Sequence, residues 1–204
     1  MNHAIKATAH EIKIRRVAYF YSAAKPRSRG ALWPIFAPAL ISYAQRPLLF
    51  HNLGGTKFEL MPAVEGTALA TTYLGRGLAV GDLFNDGKLD VVINTLDGFP
   101  ALLRNASPDK HHWIEFKLTG GTKSPRDAVG ATVYLTANKI RQRGDVTSGG
   151  SYESSSDPRI HFGLGDATVI TSVEVHWPSG VKERFPAPPI DQIVSLIEGK
   201  GQRF

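Results

Sequence analysis

Gly81-Asp82-Leu83-Phe84-Asn85-Asp86-Gly87-Lys88-Leu89-Asp90, continued by Val91-Val92-Ile93-Asn94, is the stretch from which the fold is read. Carboxylates stand at loop positions 1, 5 and 9, and glycine stands at position 6. Closely spaced carboxylates around a sharp glycine turn are one way for a loop to gather hard oxygen ligands for Ca²⁺. The same residues also suit a plain turn, in which Asp side chains accept local backbone N–H groups. Leu89-Asp90-Val91-Val92-Ile93 ends in a β-branched run, so it predicts a strand, and no Glu follows at position 12 as an EF-hand requires. The loop is therefore expected to join two strands.

Working outward, further motifs follow in order. They are Arg126-Asp127-Ala128-Val129-Gly130-Ala131, Ser148-Gly149-Gly150-Ser151-Tyr152, Arg159-Ile160-His161-Phe162-Gly163-Leu164-Gly165 and Val175-His176-Trp177-Pro178-Ser179-Gly180. The acidic loop resembles the calcium loop of FG-GAP/VCBS repeats, the blades of integrin-type β-propellers. The later motifs resemble the ASPIC/UnbV domain of the cartilage acidic protein/UnbV-like family. The resemblance covers roughly residues 45 to 190. It implies an all-β chain: a partial β-propeller blade followed by a small antiparallel β-sandwich. It also implies a metal site at Asp82, Asp86, Asp90 and the Lys88 carbonyl, with Ca²⁺ as the cofactor. The family's loop usually carries Asp or Asn at position 3, where this chain has Phe84, and an apolar ring cannot ligate a hard cation. With fewer charged ligands, affinity is expected to be millimolar rather than micromolar.

Between residues 47 and 108 the pattern is short strands joined by Gly and Asp turns. Ala101-Leu102-Leu103-Arg104-Asn105 echoes Leu48-Leu49-Phe50-His51-Asn52, and the two Asn residues lie 53 positions apart, close to one blade repeat. A complete propeller closes several blades into a ring. A single blade leaves its edges unpaired, so the unit is expected to pack on the C-terminal domain, with self-association through those edges or a fragment of a longer product as the alternatives.

Residues 109–204 continue in strands. Ile114, Phe116 and Leu118 alternate, as do Ala131, Val133 and Leu135, then Ile160, Phe162 and Leu164, then Val173, Val175 and Trp177. Val181 to Phe185 and Ile193 to Ile197 complete the set, which predicts a sandwich or small barrel. The Gly-rich loop Ser148 to Asp157 is long for a hairpin. If it folds back on the next strand, Ser148, Ser151, Tyr152, Asp157, Arg159 and His161 form a candidate ligand-binding cluster. Tyr152 would offer a stacking face and Arg159 a bidentate fork. The competing reading makes the same residues architectural, with Asp157 pairing Arg159 and Trp177 in the core. His161 and His176 each alternate with apolar neighbours and fall on the opposite strand face.

Composition bounds the function. With 204 residues and no cysteine, the chain holds one or two domains and no disulfide, thiolate zinc site or cysteine nucleophile. Residues 1–46 carry eight Lys/Arg and one acid, leaving 16 of the 24 basic and 17 of the 18 acidic residues for the rest. The basic character therefore belongs to the N-terminal arm. That arm is expected to be weakly structured, or a leader in which the apolar run Ala31 to Ala44 imitates a secretory core. The run is too short and too proline-broken to span a membrane. No Gly-x-Ser-x-Gly elbow, phosphate loop or dinucleotide fingerprint occurs. The leading expectation is a non-catalytic, secreted or periplasmic binding or adhesion module for a protein or carbohydrate ligand. The alternatives are an accessory protein or enzyme of secondary metabolism resembling bacterial UnbV, and nucleic-acid binding through the basic arm.

Overall fold

The computed structural model describes residues 44–204 apart from 55, 56, 97, 109 and 110. The arm readings, including the strand around Ile12 to Tyr21 and the leader-like run, lie outside the described residues except at its last positions. So does Asp97 of the Leu96-Asp97-Gly98 turn.

The first part is a hairpin and a three-stranded meander. Strand β1 (Phe50–Gly54) pairs antiparallel with β2 (Lys57–Leu60). A 3-10 turn at Ala68–Ala70 follows. Strands β3 (Gly75–Gly81), β4 (Asp90–Thr95) and β5 (Ala101–Leu103) then run antiparallel in that order. Gly81 pairs with Asp90, so the acidic loop is the β3–β4 connection. This half buries little: Ala68, Leu78 and Ile93 are its buried apolar side chains, while Leu53, Phe58, Leu60, Leu96 and Phe99 stay exposed.

The second part holds the core. Strands β7 (Thr132–Ala137), β8 (Ile140–Asp145), β10 (Ile170–His176), β11 (Lys182–Phe185) and β13 (Gln202–Arg203) form one sheet in the order β13-β11-β10-β7-β8. Strands β6 (His112–Thr119), β9 (Ile160–Gly165) and β12 (Ile193–Ile197) form the second, in the order β12-β6-β9. One apolar cluster joins the two sheets. Ile114 and Phe116 from β6 and Phe162 from β9 meet Val133, Leu135 and Val175 of the larger sheet, and Phe116 sets its ring edge against Phe162. Alternating residues therefore fill the gap between two layers, as period-two burial demands.

The chain is all-β, and no α-helix occurs among the described residues. The expectation of a purely antiparallel sandwich needs one correction: β12 runs parallel to β6, with Ile193 opposite Glu115 and Leu196 opposite Leu118. Parallel neighbours need a long crossover rather than a tight turn, and here the whole larger sheet except β13 lies between the two strands in sequence. Strand β8 carries no apolar alternation, because as an edge strand it turns Gln142 and Gly144 to one side and charged residues to the other. No described helix is long and apolar enough to cross a membrane.

Candidate functional site

The acidic loop closes on itself through its own backbone. Asn85 and Gly87 adopt left-handed φ of 54° and 78°, which folds the chain sharply. Asp82 then accepts the Asp86 N–H at 3.0 Å and the Gly87 N–H at 2.7 Å. Asp86 accepts the Lys88 N–H at 3.1 Å. Asp90, the first residue of β4, accepts the Leu83 N–H at 3.2 Å and the Asn105 N–H at 2.9 Å, tying the loop to the end of β5. Asp82 and Asp90 are each only 1% exposed. Burial raises the pKa of Asp90; its two backbone hydrogen bonds oppose the rise, and the charges of Asp86 and Asp82 add to it.

The donor chemistry of this loop suits a hard divalent cation: three carboxylates and a carbonyl within nine residues, two of them buried. In the conformation described, those carboxylates are turned onto backbone N–H groups. No group of three or more His, Asp or Glu among the described residues stands ready to hold a metal. Positive charge reaches the loop from elsewhere in the chain. The Arg104 guanidinium lies 4.2 Å from the Phe84 ring centroid and 3.6 Å from an Asp86 carboxylate oxygen. Phe84, useless as a ligand, thus serves as a cation-π seat for Arg104.

The larger contact comes from the sandwich. The polar face of β6 and β9 lies against the loop. The Gly87 carbonyl accepts from His161 Nε2 at 2.8 Å, and the Trp113 indole stacks on His161 with ring centroids 6.3 Å apart. A Cβ on Gly87 would fall 2.2 Å from the Trp113 ring. Glycine is therefore required here twice, by its φ and by its neighbour.

Arg159 is the clasp. Its Nη2 donates to the Asp82 carbonyl at 2.6 Å and its Nη1 to Asn85 Oδ1 at 2.7 Å. Its Nε donates to Asp157 Oδ2 at 2.7 Å, and Asp157 Oδ1 accepts the Arg159 backbone N–H at 2.9 Å. The fourth partner is Glu115 on β6, whose Oε2 lies 3.0 Å from Nη1. That ion pair lacks hydrogen-bond geometry, and this buried oxygen is left without a hydrogen-bond partner. Burial raises the Glu115 pKa to about 7; Arg159 opposes the rise and the Asp82 and Asp157 charges add to it. The His161 pKa is lowered, chiefly by burial.

The Gly-rich loop completes the joint. Asp157 N donates to the Val80 carbonyl at 3.0 Å, and Val80 N donates to Ser156 Oγ at 3.2 Å, so residues 156–157 cover the free edge of β3. The approach is tight, since a Cβ on Gly77 would fall 2.0 Å from Ser154 Oγ and one on Gly81 2.7 Å from Asp157 Cβ.

Of the six candidate ligand residues, the structure thus brings Asp157, Arg159 and His161 together at the acidic loop. Ser151 bridges to Ser154 within its own loop, Ser148 is exposed, and Tyr152 points outward at 61% exposure. A cavity of about 400 Å³ lies beside the clasp, lined by Lys117, Asp127, Asp157, Pro158, Arg159 and Ile193. Trp113, Glu115, Asn85 and Arg104 are participants that sequence reasoning missed. A tryptophan and a glutamate on the polar face of a strand whose other face is core were the available signal of a second contact.

Two outcomes test this geometry. Gly87→Ala should destabilise the chain by about 2–4 kcal/mol, from the left-handed φ and the overlap with Trp113, as read from urea unfolding. Glu115→Gln should change the pH profile. Because the folded pKa of Glu115 lies above its unfolded value, the stability it contributes is full below about pH 4.5 and lost as pH rises through about 7. His161 runs the other way, its contribution present above its unfolded pKa and lost as pH falls through the lowered folded one. Replacing Glu115 should therefore remove the falling limb between pH 4.5 and 7 and leave the acid-side loss from His161 in place, as read by melting temperature across that range.

Over 126 residues, 60% of the chain, the sequence is 32% identical to cartilage acidic protein 1 of Homo sapiens, covering 18% of that protein. The same identity and span hold for cartilage acidic protein 1 of Mus musculus, at 19% of its length, and of Xenopus tropicalis, at 18%. The chain thus spans less than a fifth of the length of the curated relatives it matches. Residues 121–203, which include Asp157, Arg159 and His161, match the family model described as ASPIC and UnbV.

Proposed function

We propose that the chain is a non-catalytic, extracytoplasmic binding or adhesion module, in which a blade-like unit is clamped to an ASPIC/UnbV-type sandwich. The observation that supports this reading best is how the charged cluster is used. Arg159 spends its donors on the Asp82 carbonyl, Asn85 and Asp157, and His161 spends its ring nitrogen on the Gly87 carbonyl. These groups hold two units together and are not poised for proton transfer. The clamp fixes the base of the 148–157 loop and leaves Tyr152 outward at its tip, the arrangement of a recognition loop on a rigid support. Likeness to proteins named for cartilage supports an extracellular setting, and the exposed apolar side chains of the blade-like unit, Phe58, Leu60 and Phe99 among them, support contact with a further chain or copy.

A weak Ca²⁺ loop belongs to the same proposal. Asp82, Asp86, Asp90 and the Lys88 carbonyl would hold the ion, and a divalent charge would offset both the burial that chiefly raises the Asp90 pKa and the repulsion from Asp86 and Asp82 that adds to it. Millimolar Ca²⁺ should raise the melting temperature slightly, Asp86→Ala should remove the shift, and Phe84→Asp should enlarge it. A wild-type melting temperature indifferent to millimolar Ca²⁺ ends the calcium reading.

The module reading is tested by probing the full chain against an array of extracellular glycans and matrix proteins. Retention of a binder by wild type and its loss in Tyr152→Ala, with unfolding unchanged, is the expected result. Turnover of a bound compound would overturn it in favour of the enzyme reading, for which the cavity beside Arg159, with Lys117 and Asp127 on its wall, is the specific support.

A further inference from the structure

The outer face of the five-stranded sheet carries an ordered array unconnected with the clasp. Antiparallel register puts cross-strand partners on the same side, so Arg184, Glu174, Tyr134 and Arg143 form one row across β11, β10, β7 and β8. Lys182 and His176 start the next row, and Phe204 joins it where its N–H reaches the Lys182 carbonyl. The rings form a chain: Tyr134 to His176 at 5.0 Å between centroids, His176 to Phe204 at 6.5 Å. A guanidinium caps each end, Arg141 at 4.2 Å over Tyr134 and Arg184 at 4.9 Å over Phe204. Glu174 sits between them, accepting from Arg141 at 3.2 Å and from Arg184 at 2.9 Å.

The side chains of this face therefore supply four cations, Arg141, Arg143, Lys182 and Arg184, against two carboxylates, Glu174 and Asp145, with Asp145 accepting from Arg143. A guanidinium has five donors, and the pairing with Glu174 leaves most of those on Arg141 and Arg184 facing solvent. Phe204 is 57% exposed. Tight packing explains none of this, because these side chains point away from the core between the sheets.

We propose that this face binds a sulfated polysaccharide, with Tyr134, His176 and Phe204 against the C–H faces of the sugar rings and the Arg141, Lys182 and Arg184 cations on its sulfate groups. The excess of cations selects an anionic chain, and sulfate matches guanidinium geometry as phosphate does. Glu174 and Asp145, which already accept from arginines, can also accept hydrogen bonds from sugar hydroxyls, which a polysaccharide offers along its length and a nucleic-acid backbone offers sparsely. Ring geometry points the same way. Adjacent rings are inclined to each other by 56–59°, which suits successive sugars and not a run of stacked bases.

The proposal does not depend on the 148–157 loop, so Tyr152→Ala leaves it untouched. It is tested by titrating the full chain with a heparin-derived oligosaccharide. The triple variant Arg141→Ser, Lys182→Ser, Arg184→Ser should bind at least about tenfold more weakly and show a shallower dependence of affinity on salt, since fewer counterions are exchanged. Phe204→Ser should weaken binding by about threefold with the salt slope unchanged, as loss of a stacking face rather than a charge predicts. A second triple variant in the basic arm, Arg15→Ser, Arg16→Ser, Arg29→Ser, makes the same change in net charge and should bind within about twofold of wild type. If the sheet triple fails to fold, Lys182→Ser alone should show the same direction of change. Four results would overturn the proposal: no binding by wild type, an equal or larger loss in the arm variant, equal affinity for the desulfated oligosaccharide, or tighter binding to single-stranded oligothymidylate.

Discussion

The guanidinium of Arg159 holds together two pieces of backbone that share no sheet. It rises from the start of β9, pairs with Asp157 beside it and Glu115 across the strand, and reaches the Asp82 carbonyl and Asn85 in a different unit. The Asp82 and Glu115 side chains are almost wholly buried and those of Asp157 and Arg159 largely so, with Asn85 at the exposed rim, so the buried charges depend on one another. A buried ionic cluster of this kind adds little net stability relative to a well-packed apolar contact, yet losing one member strands the rest. Its gain is registry: the loop can seat on the sandwich in only one way.

The rest of the joint follows from that constraint. With the acidic loop seated, the Gly87 carbonyl meets His161 and the Gly87 Cα meets the face of Trp113. Strand β3 is then held close enough for residues 156–157 to cover its free edge, which would otherwise present unpaired N–H and carbonyl groups. The 148–157 loop is thus partly a clamp and partly a surface. Its C-terminal end is spent on Val80, while its tip, at Tyr152, is left to solvent.

The sandwich has different demands. Its interior carries a second buried glutamate, Glu183, fully satisfied by the Trp177 indole at 2.8 Å and the Gly199 N–H at 3.0 Å. Glu115 faces the opposite way, toward the clasp, and one of its oxygens is not satisfied. The contrast separates a carboxylate used to lock a turn within one unit from a carboxylate used between two, where the partner is shared with Asp157 and the acidic loop. The outer sheet face is a third environment, in which charges and rings are arranged with no interior to stabilise.

Period-two alternation alone determined that the chain is all-β and named most of the core, because the residues facing a shared interior must be apolar at every second position. Ile114, Phe116, Leu118, Val133, Leu135, Val173, Val175 and Trp177 were legible on that ground, and all are buried. The spacing of Asp82, Asp86, Gly87 and Asp90 likewise announced a tight turn between strands. Strand direction carries no such mark, so the parallel pairing of β6 with β12 was not legible, and neither was β8, whose inward positions are Gln142 and Gly144. Only the tertiary structure decided what faces the polar side of β6. Alternation assigns Trp113, Glu115 and His161 to the face away from the core, but whether that face meets water or another unit depends on contacts between residues about 75 positions apart, as between Arg159 and Asp82 or Asn85. Local chemistry fixes which way a side chain points; what it meets there is set by how the two units pack.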